Sequence, residues 1–156
     1  MRKKQIPSLL EQKHLTLCCA ESCTGGLVSH LITNTAGSSK YFKGAIVCYS
    51  VESKQNLLKI SSKILNEKGV VSEETALRLA KNVKKLFKTD IGISITGIAG
   101  PTTDSKNTPV GTVFIGINIK QKTFVYKFMF KGVRQKIKKK IAEKTLELLS
   151  DILSRI

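Results

Sequence analysis

The chain has 156 residues, the length of one domain with a sizeable core, and it carries a net charge of +16 from 27 basic and 11 acidic residues. No apolar run approaches the roughly 18 residues of a membrane span, so no membrane partner is expected. The positive surplus is almost all lysine, is spread along the chain and is not interleaved with aromatics; it argues for attraction to small phosphorylated anions rather than for a dedicated nucleic-acid partner.

The start, Met1-Arg2-Lys3-Lys4, is basic but leads to Gln5-Ile6-Pro7-Ser8 and Glu11-Gln12-Lys13 without an apolar signal-peptide core, which points to a cytoplasmic protein. Residues 6–14 read as a short helix and 15–20 as a buried strand. Leu27, Val28, Leu31 and Ile32 fall on one face of a helix that Gly37 ends. A second strand covers 43–50, followed by helical patches over 51–60 and 62–68. Ser72 is placed to cap a helix with Glu73 and Glu74 in its first turn and Lys81, Lys84, Lys85 and Lys88 toward its end, both suited to the helix dipole. Residues 90–96 form a strand that runs into Gly97-Ile98-Ala99-Gly100-Pro101. Two strands, 110–119 and 123–130, are joined by Lys120-Gln121-Lys122 as an antiparallel hairpin, and 133–156 is a long helix. Alternating strands and helices with one hairpin imply an α/β fold: a three-layer α/β/α sandwich around a mixed, mostly parallel sheet, forming a single domain over 1–156.

Two small-residue turns, after Ala20 and after Thr96, each follow a buried strand, and that edge of an open α/β sheet is where ligands bind. The first, Glu21-Ser22-Cys23-Thr24-Gly25-Gly26, combines hydroxyls with backbone N–H groups at a helix start. Such a turn can hold an anion or a developing oxyanion and present a nucleophile. It can equally be a tight connection in which Ser or Thr caps the helix. Neither histidine suits Ser22 as a base: His30 lies along the following helix and His14 precedes the strand at its opposite end. Cys18, Cys19, Cys23 and Cys48 show no spacing for a disulfide framework or zinc, so they read as buried thiols in a reducing compartment, with no metal. No Walker-type or G-x-G-x-x-G fingerprint is present.

Several blocks together carry a family resemblance. In order they are Ala20-Glu21-Ser22-Cys23-Thr24-Gly25-Gly26, Ala36-Gly37-Ser38-Ser39 with Tyr41-Phe42, Tyr49-Ser50-x3-Lys54, Gly69-Val70-Val71-Ser72, Ser94 to Pro101, and Pro109-Val110-Gly111-Thr112-Val113. This series resembles the C-terminal domain of the CinA (competence/damage-inducible) proteins, whose enzymatic members are nicotinamide mononucleotide amidases of the PncC type. It runs from about residue 5 to the end, and the N-terminal domain of two-domain members is missing, so the chain looks like the stand-alone amidase form.

The resemblance implies hydrolysis of the carboxamide of nicotinamide mononucleotide to nicotinate mononucleotide and ammonia, by a serine–lysine mechanism without metal or cofactor. It makes Ser22 the nucleophile, Lys54 its base and Tyr49 an assisting hydroxyl. The N–H groups of Cys23, Thr24, Gly25 and Gly26 would hold the oxyanion or part of the ligand. Thr96, Gly97 and Gly100 would contact the nucleotide, and Arg134 its phosphate. A homodimer or higher homo-oligomer is common in the family. Against each role stands a plainer one: Lys54 as a solvated lysine, Tyr49 as a core aromatic, the glycines as strand-exit turns needing positive φ. Two departures touch the rim: Val133 replaces the acidic residue often found before the arginine, and Thr102-Thr103-Asp104-Ser105 replaces a glycine-rich loop. Two other readings remain open: a non-catalytic module for phosphorylated nucleotides, and a nucleic-acid-associated protein linked to competence or damage.

Overall fold

The chain runs through helix α1 (Ile6–Gln12), strand β1 (Leu17–Glu21), helix α2 (Leu27–Thr33), a 3-10 turn (Ser38–Lys40), β2 (Phe42–Val47), α3 (Val51–Asn56), α4 (Ser62–Glu67), α5 (Glu73–Phe87), β3 (Ile91–Gly97), β4 (Thr112–Ile119), β5 (Lys122–Met129) and α6 (Arg134–Leu153). This computed structural model describes residues 5–156; the basic start at 1–4, on which part of the signal-peptide argument rests, lies outside the described residues.

The strands form one sheet in the order β2-β1-β3-β4-β5. β1 is parallel to both β2 and β3, while β4 and β5 add antiparallel neighbours. The sheet is mixed as expected, and four of its five strands point the same way. Because β1 sits between β2 and β3, the carboxyl ends of three parallel strands meet at one edge, where the chain order reverses.

The two faces of the sheet differ in kind. Period-two alternation sends Leu17, Cys19, Ile91, Ile93, Ile95, Val113, Ile115, Ile117 and Ile119 toward α1, α2 and α6, where they join Leu10, Val28, Ile141 and Leu149 in the larger core. Cys18 and Ala20 point the other way, into a smaller cluster with Leu58, Leu65, Leu79 and Val83. The adjacent cysteines therefore serve opposite layers, and all four cysteines are free and buried.

On that second face the centre of the sheet is lined by Gly92, Ser94 and Gly116, which lets α5 approach closely. Ser94 Oγ donates to the Ala76 carbonyl at 2.6 Å. A Cβ at Gly92 would run into the Ala80 carbonyl oxygen and lie 2.7 Å from Lys84 Cβ. α5 itself is punctuated as its sequence suggests: Ser72 accepts from the Thr75 N–H, Glu73 and Glu74 occupy the first turn, and Lys84 and Lys85 the last.

Three boundaries differ from expectation. α2 stops at Thr33, and Gly37, with φ +81°, opens the 3-10 turn instead of ending the helix. Ile119 pairs with Lys122, so the hairpin loop has two residues, with Lys120 in the left-handed region at φ +53°. Tyr49 lies beyond β2, which ends at Val47.

The close seat of α5 gives a direct test. Gly92→Ala should overpack this interface and destabilise the fold by about 1–3 kcal/mol, read as a lower urea midpoint with unchanged slope.

Candidate functional site

The turn after β1 continues the sheet hydrogen bonding for one more step. Ser22 N–H donates to the Ile95 carbonyl at 3.0 Å, and Cys48 N–H donates to the Glu21 carbonyl at 2.8 Å. Ser22 is thereby fixed between the ends of β2 and β3, with its side chain at the exposed edge of the sheet.

Glu21 does something its place in the motif did not announce. It is fully buried, and its carboxylate turns back to the start of α2. Oε2 accepts from Thr24 Oγ1 at 2.6 Å, Gly26 N–H at 3.0 Å and Val28 N–H at 3.1 Å; Oε1 accepts from Ser29 N–H at 2.8 Å and Ser29 Oγ at 2.6 Å. The anion site at this helix start is thus filled from within. This corrects two expected substrate contacts: Gly26 gives its N–H to Glu21, and Gly25 gives its N–H to the Ser22 carbonyl at 3.0 Å. Both glycines serve the turn's shape, with φ of +62° and +97°. Among the described residues, the N–H groups of Cys23 and Thr24 make no hydrogen bond to another residue. They are the donors left for an oxyanion.

Lys54 comes from α3, whose short span is set by the Ser50 N-cap accepting from Ser53 N–H. It is not a solvated lysine. Its side chain is wholly buried, with Nζ 3.0 Å from Ser22 Oγ and donating to the Cys48 carbonyl at 2.6 Å. Among the described residues no carboxylate pairs with it. Burial without a counter-ion pulls its pKa below the usual lysine value. Thiolates at Cys48 and Cys23 would oppose this, but burial raises both thiols, Cys23 to about 12, so they stay neutral. The same shift removes Cys23 as a competing nucleophile. A neutral amine within hydrogen-bond reach of a serine hydroxyl is the pairing that nucleophilic catalysis requires.

A cavity of about 370 Å³ opens beside Ser22, within the range of small-molecule sites. Ser22 and Cys23 form one wall, Tyr49 and Val51 another, and Val70, Val71, Thr96 to Gly100 and Thr102 to Ser105 the rest; Arg134 stands at its edge. Arg134 Nη1 donates to the Gly100 carbonyl at 2.5 Å and Nη2 to Tyr49 Oη at 2.7 Å. The expected residues therefore converge, but not all in the expected manner. Tyr49 is 58% exposed, so it is no core aromatic, and its hydroxyl accepts from Arg134.

Thr96 Oγ1 is committed to the Val70 carbonyl at 2.8 Å. A Cβ at Gly97 would meet the Thr112 carbonyl oxygen at 2.8 Å, so this glycine is required by close strand packing. Gly100 adopts φ +86°. In the atypical rim loop, Asp104 accepts from Lys106 N–H, Thr108 N–H and Thr108 Oγ1, which holds the loop in a defined turn. His30 is exposed beside Asn34, and His14 precedes β1 at the far end of the sheet.

The sequence and the fold both have known relatives. The family model described as the CinA C-terminal domain matches residues 2–153. A Bacillus cereus (strain B4264) relative, named as a competence-damage inducible protein, is 48% identical over 128 residues, covering 81% of this chain. A Moorella thermoacetica relative of the same name is 46% identical over 82% of this chain. In both cases the chain spans 31% of the relative's length.

Among solved structures, a CinA superfamily protein of Klebsiella pneumoniae superposes with a TM-score of 0.96 at 25% identity, covering 99% of this chain and 97% of that one. A competence or damage-inducible protein of Enterobacter asburiae gives 0.95 at 30% identity, over 97% and 96%.

The wiring of Glu21 predicts an asymmetric response to an isosteric change. Glu21→Gln removes the charge and places an NH₂ among donors, so it should destabilise the fold by about 2–4 kcal/mol in chemical unfolding.

Proposed function

The chain belongs to the CinA C-terminal-domain family, and we propose that it is an amidohydrolase that converts nicotinamide mononucleotide to nicotinate mononucleotide and ammonia. The observation that carries this reading is the 3.0 Å approach of a buried, unpaired Lys54 amine to Ser22 Oγ at the wall of a ligand-sized cavity.

The chemistry follows from the pair. Neutral Lys54 takes the Ser22 hydroxyl proton as Oγ attacks the carboxamide carbon, giving a tetrahedral intermediate whose oxyanion meets the N–H groups of the Cys23-Thr24 turn. The Lys54 ammonium then returns the proton to the departing nitrogen. The C–N bond breaks, ammonia leaves and an acyl ester remains on Ser22. Water, deprotonated by Lys54, attacks the ester; the proton passes back to Ser22 Oγ, and the carboxylate product is released. The Cys48 carbonyl accepts from Nζ throughout and keeps the amine aimed at Oγ. The nucleotide's phosphate is assigned to the cationic edge at Arg134, which the Gly100 carbonyl and Tyr49 hydroxyl hold in place.

Protonation of Lys54 sets the pH dependence. At an ordinary lysine pKa only about 1 in 2,500 amines is neutral at pH 7, too few for an efficient base. The lowered pKa of Lys54 increases that fraction. The rate should therefore climb with pH while Lys54 loses its proton and level off once it is neutral, with the rise centred below the usual lysine range; a profile flat from acid to alkaline pH would exclude Lys54 as the base.

The decisive assay is ammonia release from nicotinamide mononucleotide. Ser22→Ala should lower kcat by at least about a thousandfold while the fold persists; full turnover in this variant would refute the nucleophile.

A further inference from the structure

Lys138 stands four residues after Arg134 on α6, so the two cations share one helix face. Lys138 is half-buried, and its Nζ lies over the first glycine turn, 3.5 Å from where a Cβ would project at Gly25. Its charge is also felt at the Cys23 thiol, which lines the cavity. Yet among the described residues Nζ forms no ion pair and no hydrogen bond. On the same helix Lys140 donates to the Lys131 carbonyl and Lys144 pairs with Glu147.

Two like charges one helical turn apart repel, and a partly desolvated ammonium without a partner adds to that penalty. An anion bound between them removes both. Arg134 is poorly placed to hold such an anion alone, because two of its five donors already serve the Gly100 carbonyl and the Tyr49 hydroxyl. Among the described residues all three donors of Lys138 are uncommitted.

We propose that Lys138 is the second cation of a phosphate clamp with Arg134, and that this clamp makes the site selective for a phosphorylated nucleotide over its unphosphorylated nucleoside. The assignment rests on the amidase reading for its substrate, but the anion contact itself does not.

The test compares wild type, Lys138→Gln and Lys138→Arg on nicotinamide mononucleotide and nicotinamide riboside. In Lys138→Gln the ratio of kcat/KM for nucleotide over riboside should fall by about ten- to a hundredfold, carried mainly by KM, as expected for a lost hydrogen bond to a charged group. Lys138→Arg should restore most of the ratio. An unchanged ratio, or equal losses on both substrates, would overturn the proposal.

If wild type hydrolyses neither compound, the amidase reading fails, and calorimetric titration with inorganic phosphate still decides the clamp. Salt-sensitive binding that weakens at least about fivefold in Lys138→Gln supports it. Equal affinity in the two proteins, or no binding by wild type, overturns it.

Discussion

An amine enclosed by protein and lacking a counter-ion among the described residues is the constraint around which the rest of this structure is arranged. A buried ammonium is strongly disfavoured unless paired, and the cheaper state is the neutral amine. The surroundings of Lys54 favour that state and lower its pKa. Its nearest polar atoms are a carbonyl oxygen and a hydroxyl, both uncharged, and the thiols of Cys23 and Cys48 are held neutral by their own burial. Local structure enforces the geometry: the Ser50 cap starts α3, and Lys54 lies at its fourth residue, turned inward beneath the end of β2.

This arrangement explains why Glu21 must be where it is. A carboxylate adjacent in sequence to Ser22 would, if turned toward Lys54, form an ion pair and hold the lysine protonated. Instead, five donors from Thr24, Gly26, Val28 and Ser29 lock it against the start of α2. The helix dipole and the glycine turn stabilise the carboxylate and keep its charge away from Lys54. The same carboxylate makes the turn rigid, so the Ser22 backbone is fixed by Ile95 on one side and by Glu21 and Cys48 on the other. Preorganisation here comes from sheet and helix termini rather than from loop contacts.

Much of the fold was legible because each element carries a physical signature of its own. The β-branched alternation of Ile91-Gly92-Ile93-Ser94-Ile95 and of Val113 to Ile119 identified strands, and the Ser72 cap with its acidic first turn identified α5. Within the site, the local pattern offered Ser22 as a nucleophile and ruled out both histidines, while only the ordered family blocks singled out Lys54 among many lysines. No local pattern reveals that one lysine is buried, since burial depends on how β2, α3 and the turn after β1 pack together. Glu21 escaped notice for a related reason. A carboxylate before a small-residue turn can face solvent, ligand or helix, and only the tertiary path of Gly25 and Gly26 directs it to the helix. Lys138 was hidden by the excess of lysines around it.

The two glycine turns, alike in composition, differ in what they contribute. In the first, the glycines create a backbone that wraps a carboxylate and leaves the N–H groups of Cys23 and Thr24 without protein partners. In the second, Gly97 admits the Thr112 strand, and Gly100 turns its carbonyl to Arg134. Arg134 then joins the segment after β3 to the segment after β2 through Tyr49, although it belongs to a helix on the opposite side of the chain's sequence. One edge of the cavity is therefore closed by a guanidinium, while Val51, Val70, Val71, Ile98 and Ala99 give it apolar walls. That edge is positively charged, and its position is set by three elements at once. That combination fits the proposed ligand, which has an anion at one end for the guanidinium and a neutral group at the other for Ser22.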